Sequence, residues 1–202
     1  MSEVVIGITT WGSPWFVYPN NYRWRKVEYV LADDSGCGVS SRTTLSFIFK
    51  CISHSLRRFV VIVPSTVVFE PGLNSYDELI QHVKNIYRGF ICEEIKKVGD
   101  LSPKALDLIV APGSGKFTNR YKGDSVEGRL MLNYCGSLSN FYYYVYLELS
   151  RILVKEILNI ENDGDSKKSL KIVLDLSHGM NYMPVLTYRA VNYYLLYRFS
   201  LF

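Results

Sequence analysis

The stretch KIVLDLSHGMNYMP, Lys171 to Pro184, starts as an apolar run and ends as a polar turn. Leu170 to Leu176 is short and rich in branched apolar residues, so it reads as a buried strand. Asp175, Ser177, His178, Gly179 and Asn181 then crowd the point where that strand hands over to a helix. Pro184 fits only the first turn of this helix, where no backbone donor is lost. Polar groups gathered at the carboxyl end of a buried strand stand where open α/β sheets meet ligands.

Working outward, Val4 to Thr9, Arg58 to Pro64 and Leu106 to Ala111 are three further apolar runs of strand length. Helical patterns separate them. Thr43 to Ser53 is one, and Asn74 to about Val98 is another, with Leu79, Val83, Ile86 and Phe90 on one stripe. Ser137 or Ser139 can cap a third, carrying Phe141, Val145, Leu149, Ile152 and Ile157. KVEYVL, residues 26–31, reads as a short outer strand, followed by the Gly- and Ser-rich DDSGCGVSSR, residues 33–42. Strands without strict alternation, interleaved with helices, imply an α/β fold: a mainly parallel open sheet with helices on both faces. Crossovers of one hand place all the strand exits on one edge.

The chain has 202 residues, enough for one domain, with 48% hydrophobic and 21% charged residues. The net charge of +4 is mild. It argues against a duplex-DNA binder, which carries a longer basic face, and is compatible with a small polyanion met by a few local cations. The 16 tyrosines suit interfaces and the walls of polar pockets. Cys37, Cys51, Cys92 and Cys135 have neither CxxC nor metal-ligand spacing, so reduced thiols in a cytoplasmic protein are expected, with no metal and no cofactor. The start, MSEVVIGITTWG, has no signal-peptide character, and charges interrupt every long apolar segment, so no membrane association is expected.

Strand exits supply the candidate site. After the first strand come Trp11, Gly12 and Ser13; after the third, Gly113, Ser114, Gly115 and Lys116; after the fourth, Ser177, His178, Gly179 and Asn181. Small and polar residues at such exits let backbone N–H groups face an anion. Each also has a plainer reading: Ser177 and Gly179 as a helix-capping turn, His178 as a hydrogen-bonded core histidine, the glycine loop as a turn. The loop is no Walker motif, because Val110 stands at the first glycine position and Phe117 where a magnesium-binding hydroxyl belongs. Ser41 and Arg42 at a helix start offer a dipole and a guanidinium to phosphate, or else a cap and a solvated arginine. Trp11, Trp15 and Trp24 are either core or platforms for bases. There is no GxSxG elbow, and Ser177 adjoins its histidine along the chain, which is no hydrolase triad.

The stretch IVLDLSHGMNYMPVLTYRAV closely resembles the Asp-x-Thr-His-Gly signature of proteins with a CARF (CRISPR-associated Rossmann-fold) domain, with Ser177 replacing the threonine and keeping its hydroxyl. TTWGSPWFVYPNNYRWRKVEYVL, SSRTTL and APGSGKF are similar to that family's amino-terminal segments and third strand exit. The resemblance covers nearly the whole chain. It implies a Rossmann-like sheet, a two-fold homodimer, and a pocket for cyclic tetra- or hexa-adenylate, the messenger of type III CRISPR antiviral defence.

On that resemblance, Trp11, Gly12, Ser13, Ser41, Arg42, Gly113, Ser114, Gly115, Lys116, Ser177, His178, Gly179 and Asn181 would line the pocket. Two functions follow: a sensor regulating a separate effector nuclease, or a ring nuclease in which Ser13, Lys116 and His178 align a ribose hydroxyl with its phosphate. Relatives commonly carry a HEPN ribonuclease domain marked by an arginine shortly before a histidine. His54, His82 and His178 lack that arginine, so residues 1–202 are expected to be a CARF-like domain, shortened at its carboxyl end, without HEPN.

Overall fold

The structure, a computed structural model, describes residues 3–17, 21–32, 36–52, 56–66, 75–99, 102–119, 132–162 and 169–199. Strands β1 (Glu3–Trp11), β2 (Trp15–Val17), β3 (Asn21–Tyr22), β4 (Val27–Val30) and β5 (Gly38–Ser41) precede helix α1 (Thr44–Ile52). Strand β6 (Leu56–Pro64), helix α2 (Tyr76–Ile95) and strand β7 (Leu106–Ala111) follow. The strand pair β8 (Gly115–Asn119) and β9 (Leu132–Gly136), helix α3 (Leu138–Asn162), strand β10 (Ser169–His178) and helix α4 (Tyr182–Phe199) complete the order.

The central sheet has four parallel strands in the order β10-β1-β6-β7. The chain steps outward from β1 to β6 and β7, then returns to lay β10 on the other side of β1. Strand order therefore reverses at the β1/β10 boundary, and in open α/β sheets the crevice at such a switch point takes the ligand.

Both faces are covered. Odd-numbered residues of β1 and β6, Trp11, Phe59, Val61 and Val63, meet Leu45 and Ile48 of α1 and Leu79, Val83, Tyr87 and Phe90 of α2. Ile6, Ile8, Val60 and Ile62 face the other way, against Phe141, Val145, Leu149 and Leu153 of α3 and Met183, Ala190 and Val191 of α4. Every residue of β1 after Glu3 is buried, as a central parallel strand requires. Burial of each large apolar side chain stabilises the fold by about 2 kcal/mol. Helix α2 begins at a cap, the Ser75 hydroxyl accepting from Glu78 N at 3.1 Å, with Asp77 and Glu78 at its positive end. Ser137 does the same for α3, accepting from Asn140 N at 3.1 Å. Among the described residues no helix is long and apolar enough to cross a membrane.

The Gly- and Ser-rich segment ends in a strand, β5, paired antiparallel with β4. One expectation is corrected here: Cys37 and Cys51 are joined in a disulfide rather than being free thiols. Their sequence separation of 14 matches no motif, but β5 and α1 run back on each other across a short connection. Four strand residues and nine helical ones both span about 13 Å, so the two cysteines arrive level. Cys92 is a free exposed thiol, and the side chain of Cys135 lies outside the described residues.

Candidate ligand site at the sheet edge

The site is built around Asp175 on β10. Its Oδ2 accepts from the hydroxyl of Thr9 on the neighbouring β1 at 2.8 Å, and from the hydroxyl of Thr44 in the first turn of α1. Its Oδ1 accepts from Ser177 N at 3.1 Å and from Ser177 Oγ at 2.6 Å. One carboxylate thus pins two strands, a helix and the start of the turn. Ser177 Oγ is in turn 2.6 Å from Nδ1 of His178. The half-buried His178 ring sits against Trp24, with centroids 4.7 Å apart. Burial pushes the His178 pKa down, and the Asp175 charge that pulls the other way does not reverse it.

The first and fourth exits are fastened together. Trp11 is in register with His178, and Gly12 N donates to His178 O at 2.9 Å. The third exit joins them through α4, where the Tyr182 hydroxyl accepts from Ser114 N at 3.2 Å. Gly113 N donates to Ser65 Oγ at 3.3 Å at the end of β6. The exits converge on the carboxyl edge of the sheet, beside the switch point.

A profile of the family described as CRISPR system endoribonuclease Csx1, CARF domain, matches residues 6–200. The chain belongs to the Csx1 CARF-domain family. It is also 30% identical over 180 residues to the CRISPR system endoribonuclease Csx1 of Methanocaldococcus jannaschii, a match covering 89% of this chain and 31% of that protein. The chain thus corresponds to under a third of the length of that relative.

Within this CARF domain the expected residues have differing surroundings. Ser177 and His178 close β10, Gly179 and Asn181 lie between it and α4, and Ser177 and Asn181 are exposed. Trp11 is at the first exit but its side chain is fully buried, packed on Trp24, Tyr87 and Phe90, so of the two readings it is core. Trp15 is core as well. Ser13 spends its hydroxyl on a local turn, donating to Trp15 O at 3.1 Å and accepting from Trp15 N at 3.3 Å. Gly115, in the left-handed region with φ 119°, opens β8, and Lys116 follows it opposite Cys135. The Lys116 side chain lies outside the described residues.

Ser41 and Arg42 are turned inward. Ser41 is buried and donates to Glu94 Oε2 at 2.9 Å, while Arg42 pairs with Glu94 Oε1 at 2.7 Å and lies 4.0 Å over the Tyr22 ring. Burial raises the Glu94 pKa, but hydrogen bonds from Lys97, Arg42 N and Ser41 outweigh it and leave the carboxyl below its usual value. Arg42 is thereby the counter-charge of a buried glutamate, not the solvated cation that a helix start suggested.

The expectation of an amide cradle is also revised. The N–H groups of Gly12, Gly113, Ser114 and Ser177 are all committed inside the fold. Conversely, sequence reasoning missed Thr9, Thr44 and Tyr182, whose hydroxyls hold the site's backbone and carboxylate. It also left Trp24 undecided between core and platform; the ring covers His178 and is flanked by the exposed Arg25 and Lys26. The signal was available in NYRWRK, an aromatic between cations.

Proposed function

We propose that this CARF domain is the sensor of a type III CRISPR antiviral protein, binding cyclic tetra- or hexa-adenylate across a homodimer and passing the signal to an effector nuclease. The observation that carries the reading is the convergence of the Ser177-His178-Gly179 turn with the Gly12 and Gly113 exits at the sheet's switch point. Trp24 with the exposed Arg25 and Lys26 supplies the aromatic and cationic groups that a phosphate-linked ring of adenosines needs. A ring with a two-fold axis fits a pocket made from the same patch on two copies. Helices α3 and α4 support such pairing, because Tyr143, Leu147, Val154 and Leu158 form an exposed stripe on one, and Val185 and Tyr188 on the other. The domain boundary, 1–202 as a single CARF unit, belongs to the same proposal.

Incubating the purified protein with each ring, and following binding and products by chromatography, tests this. Micromolar or tighter binding with the ring intact is expected, and His178→Ala should weaken it at least tenfold while leaving the fold's melting temperature within a few degrees. Linear products with 2′,3′-cyclic phosphate ends would make the domain a ring nuclease instead. Binding of neither ring at micromolar concentration would overturn the reading.

A further inference from the structure

We infer that His178 offers the site a bare Nε2 lone pair, and that this lone pair takes a hydroxyl donor, the ribose 2′-hydroxyl of the nucleotide ring, rather than a phosphate oxygen. The inference rests on the ring-binding reading above and says what one residue recognises.

Counting protons along the Asp175 chain fixes the histidine. Asp175 receives four donors, Thr9 Oγ1, Thr44 Oγ1, Ser177 N and Ser177 Oγ, and a carboxylate has about four lone-pair sites to fill. It has no proton to give back. The 2.6 Å contact between Asp175 Oδ1 and Ser177 Oγ therefore consumes the only hydroxyl proton of Ser177. Ser177 Oγ is left as an acceptor, so the proton in its 2.6 Å contact with His178 sits on Nδ1. A neutral imidazole protonated at Nδ1 has an unprotonated Nε2. Burial favours that neutral form against the pull of the facing Asp175 carboxylate. Trp24 covers the ring at 4.7 Å, and among the described residues no donor fills Nε2.

A lone pair repels a phosphate oxygen and accepts from O–H. The backbone donors nearby point the same way: Gly12 N, Gly113 N, Ser114 N and Ser177 N are spent within the fold. The 2′-hydroxyl is what separates RNA from DNA at a contact, and a site built to bond a hydroxyl rejects the analogue without it. Asp175 and Ser177 are positioning residues here, acting through the tautomer of His178.

Two measurements on the full chain decide the matter. Long-range proton–nitrogen NMR of the 15N-histidine-labelled protein, without ligand at neutral pH, should show His178 protonated at Nδ1. The Nε2–H form should gain in Ser177→Ala, whereas Ser177→Thr should keep the native form. Titration with cyclic tetra- and hexa-adenylate and their all-2′-deoxy counterparts should show the deoxy ring about tenfold weaker or more, with discrimination lost in Ser177→Ala. An Nε2–H histidine in the native protein, or equal affinity for ribo and deoxy rings, overturns the inference and leaves the ring-binding reading standing. Binding of no ring removes that reading and the ligand assignment with it, while the NMR result still decides the tautomer.

Discussion

At Gly179 an added Cβ would lie 2.4 Å from Thr10 Oγ1 and 3.0 Å from Pro184 Cδ. Thr10 is fully buried and β-branched, so it has little room to turn away, and Pro184 is fixed in the first turn of α4. Close approach of the turn to β1 is thus the reason for glycine in Ser177-His178-Gly179. Gly179→Ala should cost about 1–3 kcal/mol through overpacking and push His178 out of line with Trp24. A thermal melt together with a ring-binding titration checks this; a native melting temperature with native affinity would contradict the packing described. Of the chemistry at this scale, the hydroxyl, imidazole and glycine were legible in the sequence. The partners that give them meaning were not, because Thr9 and Thr44 lie 166 and 131 residues away along the chain from Asp175.

Helix α1 carries Thr44 to Asp175 at one end and is tied to the residue before β5 by Cys37–Cys51 at the other. Beside it, Glu94 of α2 binds Ser41, Arg42 and Lys97, anchoring the same segment to the second helix. Closing a loop of this length stabilises a fold by about 3 kcal/mol, chiefly by restricting the unfolded chain. Reduction, or Cys51→Ser, should lower the melting temperature by roughly 6–12 °C for a domain of this size. Scanning calorimetry with and without reductant tests it, and coincident transitions would show the bond to be energetically idle. Nothing in the spacing of the four cysteines announced the pairing. It depends on two elements of unlike rise per residue happening to match in length.

The whole molecule presents α3 and α4 on the face opposite α1 and α2, and both leave apolar side chains in water. Leu147 is 61% exposed and Val185 59%. Helix α4 starts immediately after Asn181, so its stripe begins beside the site, where a two-fold axis would let two copies share one ring. Leu147→Asp with Val185→Asp should convert a dimer to monomers in light scattering and weaken ring binding in parallel. Unchanged mass, or a monomer that binds the ring as tightly as the native protein, would sink the shared-pocket arrangement.

Apolar run lengths and helical periodicity, which are local properties of consecutive residues, were enough to read the four strands of the central sheet, the four helices flanking them and the motif at the last strand exit, although β10 proves to be a half-buried edge strand and not the buried one expected. They determined an α/β sheet and the edge at which its polar strand exits gather. Direction of charge and proton was decided only in three dimensions. Arg42 faces a glutamate that follows it by 52 residues, Trp11 turns into the core, and the proton of Ser177 is claimed by Asp175. Hydrogen bonds and ion pairs act over a few ångströms of space irrespective of chain separation, so which group a side chain satisfies waits on the packing that brings strangers together.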